Sequence, residues 1–255
     1  MNELLKMTAH QVKEGKFDKA ILAIGSCEAH GQHLAEGCDT IVSYELSKQV
    51  ADRVPGMLVL PPITVGYSGH YDTFPFTLTF DYETMIHVIY DIVESVLRNG
   101  INKIFLMNGH DGNIAPIEIA ARKIKEKYPD ARIASLPEWW VIAGKLVPEG
   151  TFAVWNGLGH AGEGETSIAY HLFLQWCEPD QATCVVPDHL PEHVDIKWDF
   201  AEITDTAQTG DATVATAAKG KLMNDCLVEA VVKDIEALEK TGWNYNTSHC
   251  ATKLK

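Results

Sequence analysis

Apolar runs bounded by turn residues alternate with amphipathic stretches through the first two thirds of the chain. This is the pattern of strands alternating with helices and of a largely parallel sheet. The first run, Ala20 to Ile24, stops at Gly25-Ser26, and a helical pattern follows from Ile41 to Val54. Met57 to Val65 is broken by Pro61-Pro62, which predicts a short strand leading into a loop. From Glu83 to Leu97 the apolar residues recur at three- and four-residue steps and Asn99-Gly100 ends the run, which predicts a helix. Lys103 to Met107 reads as a buried strand, Asn108 to Asn113 as the loop after it, and Asn113 to Lys127 as a helix stopped before Pro129. Arg132 to Leu136 predicts a further strand, and Gly164 to Trp176 and Val214 to Leu238 predict helices. Pro137 to Gly159 and Pro187 to Gly210 read as long irregular stretches, which in a compact domain are usually functional or mobile.

These elements predict one three-layer α/β domain over residues 1–255, a mostly parallel sheet flanked by helices, with a frayed tail over about 244–255. Ligands of such a sheet bind beyond the carboxyl ends of its strands. The loops after Ile24, Val65 and Met107 all belong to that region.

Composition narrows the function classes. With 46% hydrophobic and 22% charged residues the chain can build a packed core. Its formal net charge of -14 repels phosphate backbones and anionic lipid, so neither nucleic acid nor a membrane surface is the expected partner. The first twenty residues lack a basic n-region and an unbroken apolar h-region, and no later stretch has the length of a membrane span, so a cytoplasmic protein is expected. Six cysteines without a CxxC pair read as reduced thiols. Cys27 and Cys38 could each offer a thiolate, but they stand beside better oxygen and nitrogen donors.

Three clusters can do chemistry. Gly25 to Thr40 holds Glu28, His30, His33 and Asp39; just past a strand, Glu28 and His30, two residues apart, can converge on a common centre. A carboxylate with an imidazole suits Zn, Mn or Fe. Asp39 could bridge two ions or simply cap the next helix. The second cluster, Asn108 to Asn113, puts His110 on a glycine-flanked turn, with Asn113 as a possible N-cap. The third, His160 to Ser167, holds His160, Glu163 and Glu165. Trp139, Trp140 and Trp155 could line a small pocket or pack under a loop.

Together the segments GSCEAHGQHLAEGCDT, GYSGHYDTFPFT, NGHDGN and HAGEGETS resemble the creatininase family, whose pattern is similar to GSxExHGxHLxxGxDT, GxSxxHxxFPxT, NGHxxN and HAGxxETS in that order. TGDATVATAAKG, Thr209 to Gly220, is similar to the family's segment before its last helix. The resemblance implies a creatininase-like fold and a homohexamer. It further implies two divalent ions, Zn, Mn or Fe, one held by Glu28, Asp39 and His110 and the other by His30 and Asp39. His160 with Glu165 matches the family's proton-transfer pair, and His70 a histidine near the substrate. His33 is expected to hydrogen-bond a ligand carboxylate. Creatininase itself has a further glutamate ligand where this chain has Gly112, and Glu163 is the expected replacement.

The activity so implied is hydrolysis at a carbonyl of a small cyclic polar substrate, a cyclic amide or related C–N bond. Gly112, and Phe76 where the family has Gly after the Pro, set this chain apart from creatininase itself. Alternatives within the family are ring opening of a keto-inositol, deformylation of a formamide and trimming of a precursor peptide. A different class, a non-catalytic metal-binding assembly subunit, would lack the His160 and Glu165 that this chain retains.

Overall fold

The structure, a computed structural model, describes residues 2–188, 193 and 196–244; the expected tail beyond residue 244, and His189, lie outside them. Strands β1 (Lys19–Ile24), β2 (Met57–Val59), β3 (Lys103–Asn108) and β4 (Arg132–Leu136) form a sheet in the order β2-β1-β3-β4, with every pairing parallel. The helices are α1 (Ala9–Glu14), α2 (Cys38–Arg53), α3 (Tyr82–Arg98), α4 (Ile114–Lys127), α5 (Trp139–Leu146), α6 (Glu163–Phe173) and α7 (Ala217–Lys240). Alternation along the strands sorts the core into two faces. Ala20, Leu22, Ile24, Ile104 and Leu106 pack with Met85, Ile89 and Val93 of α3 and Ile117 and Ile124 of α4. Ile21, Phe105 and Met107 pack with Val42 and Leu46 of α2, Ala143 of α5, Ile168 of α6 and Leu227 of α7. The result is the three-layer arrangement that the sequence pattern predicts.

Two departures from the pattern matter. The stretch from Pro137 contains α5, eight residues long, in which Trp139 and Ala143 are buried at one-turn spacing. Two turns are too short to stand out in a periodicity window of about 11–18 residues. In addition α2 begins at Cys38 rather than Ile41, which puts Asp39 inside its first turn.

The chain order brings the chemistry together. From β1 the chain reaches β2 through α2 on one face, then crosses back through α3 on the other face to β3, so strand order reverses between β1 and β3. Such a switch point leaves a crevice at the carboxyl ends of the two strands. Two asparagines hold its loops. Asn113, fully buried, accepts from the Tyr67 N–H at 3.0 Å and donates to the Gly25 carbonyl at 3.0 Å. It makes no side-chain cap of α4, contrary to the N-cap expectation. Asn108 donates to the carbonyls of His110 and Pro137 at 2.7 and 2.8 Å.

Asn113→Ala would leave a buried carbonyl and an amide unpaired, costing about 2 kcal/mol or more. In a chain of this size that is a fall in Tm of roughly 4–8 °C, measurable by thermal unfolding. A Tm within a degree of the unaltered protein would remove Asn113 from the role of cross-link.

Candidate metal centre

Past β1 the chain stays extended through Ser26 to His30, and Gly31, at φ 61°, turns it back toward α2. Gly109 lets the start of α2 lie against the end of β3, since a Cβ there would come within 2.3 Å of the Asp39 carbonyl. Asp39 is not the N-cap, which is Gly37; its side chain turns inward, at the positive end of the helix. Glu28, His30, Asp39 and His110 are all buried at these loop ends.

Each imidazole is oriented by a backbone carbonyl. His30 Nδ1 is 3.0 Å from the Glu28 carbonyl, His110 Nε2 2.8 Å from the Tyr67 carbonyl, and His160 Nε2 2.7 Å from the Ala29 carbonyl. An N–H donated there leaves the other nitrogen of each ring free to face the centre. His30 Nε2 lies 2.9 Å from Asp39 Oδ1, and His110 Nδ1 3.1 Å from Glu28 Oε1 and 3.2 Å from Asp39 Oδ2. His160 Nδ1 is 4.0 Å from Glu28 Oε1. Glu28 Oε2 is fixed by the Ser26 hydroxyl at 2.8 Å, and Ser26 in turn pairs with Ser68.

Glu28 Oε1 and Asp39 Oδ2 are buried without a hydrogen-bond donor. A buried anionic oxygen without a donor is costly, and a cation among the free imidazole nitrogens satisfies both. Protons compete for the same place. Burial disfavours the charged form of His30, but Asp39, Glu165 and Glu28 outweigh it and push the imidazole up to about 10. Burial likewise opposes the charge on His110, yet Glu28 and Asp39 hold it well above its ordinary value. A divalent ion displaces such protons, as ligands require. Among the described residues, three sets of potential ligand atoms lie within 4.8 Å of one another: Glu28, Asp39 and His110; Glu28, His30 and His160; and His30, Cys38 and Asp39. The nitrogen and oxygen donors fit Zn, Mn or Fe.

Above this centre is a cavity of about 310 Å³, lined by Asp39, His110, His160 and Glu165 together with Tyr71, Trp140, Phe200, Thr209 and Asp111. Among the described residues, no Lys or Arg lines it. A larger groove of about 680 Å³, lined by Val12, Phe17, Leu60, Ile92 and neighbouring residues, has no titratable cluster and lies apart from the centre.

Several expectations are corrected. Glu163 does not reach the centre: its carboxylate accepts from the Ala153 and Val154 amides at 2.7 and 3.4 Å and pairs with Lys219. Two residues apart on a helix means about 200° of rotation, so when Glu165 faces the cavity Glu163 faces away. His160 and Glu165 have separate partners, since Glu165 Oε2 accepts from the Ala161 N–H at 2.7 Å and His160 Nε2 bonds Ala29. His70 stacks on the His110 ring at 5.8 Å and is not among the cavity's lining residues; its neighbour Tyr71 is. His33 bonds Thr166 at 2.8 Å rather than a ligand carboxylate. Phe76 is 86% exposed with φ 57°, so it narrows no wall. Of the tryptophans, Trp140 lines the cavity and Trp139 is buried in the core.

Phe200 lines the cavity as well, from a stretch that the sequence pattern marks only as irregular. Its ring packs on Tyr71 at 4.6 Å and edge-on to His160 at 5.1 Å. The local sign was Asp199 with Glu202 three residues on, which form a capping box around a short helical turn in the stretch read as irregular.

Burial pushes Glu165 up to about 7, against the nearby His30 charge. Burial and the His30 charge together push His160 down to about 3. The cavity therefore presents a carboxyl poised near neutrality and a neutral imidazole.

Across residues 5–235 the chain matches the family model described as Creatininase: Creatinine amidohydrolase. It is 28% identical over 230 residues to the creatinine amidohydrolase of Pseudomonas putida, covering 84% of this chain and 87% of that protein. To the mycofactocin precursor peptide peptidase of Mycobacterium ulcerans (strain Agy99) it is 25% identical over 242 residues, covering 89% and 90%. A solved structure described as Creatininase Mn has a TM-score of 0.77 at 26% identity, covering 92% of this chain and 98% of that one. A mutant creatininase of Zn-Zn type has a TM-score of 0.76 at 27% identity, covering 92% and 97%. With the family model matched across nearly the whole chain and the fold in agreement, the chain belongs to the creatininase family of hydrolases.

Proposed function

We propose that the protein is a metal-dependent amidohydrolase that attacks the carbonyl of a small, cyclic, polar substrate and cleaves its C–N bond. The observation that carries this reading is the pair of donor-less buried oxygens, Glu28 Oε1 and Asp39 Oδ2, beneath the 310 Å³ cavity. Glu28, Asp39 and His110 would hold one ion, and His30 with Asp39 a second. When bound, such ions supply a water acidified to near neutral pH and polarise a carbonyl.

The chain's own groups do the rest. Glu165, with Oε2 fixed on the Ala161 amide, keeps Oε1 to take a proton from the attacking water and return it to the leaving nitrogen. Burial raises this carboxyl above the ordinary carboxylate range, which helps it to hold the proton before returning it. Tyr71, Phe200 and Trp140 offer flat apolar walls to a ring. A volume near the lower end of ligand pockets, about 300–1,000 Å³, favours a small molecule over a peptide segment. The described lining residues include carboxylates and no Lys or Arg, which favours a substrate without an anionic group.

Glu165→Gln keeps the shape and removes the base, so activity falls by about 10²–10⁴-fold while metal content by elemental analysis is unchanged. Near wild-type turnover in that variant would sink the assignment. Dialysis against a chelator should abolish activity and lower Tm, with Zn, Mn or Fe restoring both. The assay is a screen over creatinine, other cyclic amides, N-formyl compounds and keto-inositols. A protein that is inert in the screen, and stays inert after each metal is added, refutes the hydrolase reading.

A further inference from the structure

Gly112 stands where creatininase has the glutamate that completes its second ion set, and in this chain that place is closed. A Cβ on Gly112 would lie 2.1 Å from the Tyr67 carbonyl and 2.6 Å from His110 Nε2, the two partners of the bond that orients His110. A side chain there would disrupt the first ion set in order to serve the second.

We infer that His160 takes over: its Nδ1 completes the second ion set together with His30. The inference rests on the reading that the site holds two ions. His160 is oriented like the two other imidazoles, with one ring nitrogen on a backbone carbonyl and the other turned to the centre. This is how metal-bound histidines are commonly held, the second nitrogen fixing the ring. Glu28, His30 and His160 offer ligand atoms that all lie within 4.8 Å of one another. His160 Nδ1 and Glu28 Oε1 are 4.0 Å apart, too long for a hydrogen bond. The ring is packed, tilted, against His30 at 4.2 Å and Tyr71 at 4.5 Å.

The competitors are otherwise engaged. Glu163 is held by Lys219 and two amides, and Cys38 packs in the apolar core with α2. Glu165 Oε2 is 3.9 Å from His30 Nε2 but takes the Ala161 amide, and Glu165 is in none of the three close ligand sets among the described residues. With His160 included, the second set has two imidazoles, whereas the first has two carboxylates and one imidazole. The second set therefore favours Zn over Mn more strongly than the first does.

The test is zinc stoichiometry by equilibrium dialysis on the full chain, for the unaltered protein, His160→Ala, His160→Gln and Glu165→Gln, with circular dichroism to verify folding. Two zinc ions are expected in the unaltered protein and in Glu165→Gln. One tight ion is expected in each His160 variant, with the second weakened at least about 100-fold. Free imidazole should restore the second ion in His160→Ala. With Co(II) in place of Zn, the visible spectrum of the second ion should change in His160→Gln and not in Glu165→Gln. Two ions at unaltered affinity in a folded His160 variant would overturn the assignment alone. A single ion in the unaltered protein would overturn the two-ion reading and the assignment with it.

Discussion

Glu28 and Asp39 bury their carboxylates with ligand atoms no more than 4.8 Å apart, and each keeps one oxygen without a donor. Two like charges at about 4 Å repel by about 4 kcal/mol at an effective dielectric of 20, on top of several kcal/mol of desolvation for each. Most other features of the site answer this one electrostatic cost. Ser26 takes one oxygen of Glu28, the start of α2 gives Asp39 a positive helix end, and imidazoles surround the remaining oxygens. Imidazoles whose N–H groups already point to backbone carbonyls add no charge unless a second proton binds. A divalent ion meets the demand with both rings neutral, which is why the arrangement is better suited to cations than to protons.

Such a centre needs a frame that does not give way, and the topology supplies it. The reversal of strand order between β1 and β3 opens a crevice, and the buried donor residues rise from the ends of those two strands. Asn113 joins the loop after β1 to the loop that carries Tyr67, and the Tyr67 carbonyl fixes His110. One buried amide thus links three segments far apart in sequence. A shift in any of them would misplace a ligand nitrogen.

How much of this was legible in the sequence depended on how local the signal was. The parallel sheet followed from strand runs and helix periods, because each is written within about ten residues. That Glu28, His30, Asp39 and His110 belong together was suggested by motif segments in a familiar order, since taken singly such residues also serve as caps and turns. The role of Glu163 was not legible, since spacing alone does not tell which way a helix is rotated, and Glu163 and Glu165 point to different sides. Phe200 was hidden for the opposite reason: its contacts with Tyr71 and His160 join residues distant in the chain, and nothing in the local pattern announces them. Phe76 looked like a pocket wall because it follows Pro75 in a motif. Its φ of 57° shows instead why glycine suits that place, the left-handed region being open to glycine at no steric cost.

Glu163 has a physical task of its own. Between α5 and α6, Trp155, Asn156 and Ala161 have φ of 47°, 55° and 49°, a left-handed conformation that costs non-glycine residues on the order of 1–3 kcal/mol each. A loop under such strain relaxes unless it is held at both ends. Glu163 holds one end through the amides of Ala153 and Val154 and is itself secured by Lys219 of α7. The other end is held where His160 exchanges hydrogen bonds with Thr209, at 3.0 Å from its amide and 2.9 Å to its carbonyl. His160 therefore sits on a strained, doubly clamped segment with its ring packed between His30, Tyr71 and Phe200. A proton carrier that swings between partners gains nothing from that rigidity. A ligand gains a great deal, because a fixed nitrogen gives up little entropy when an ion binds, and the clamp by Glu163 supplies indirectly what its sequence position first suggested it would supply by coordination.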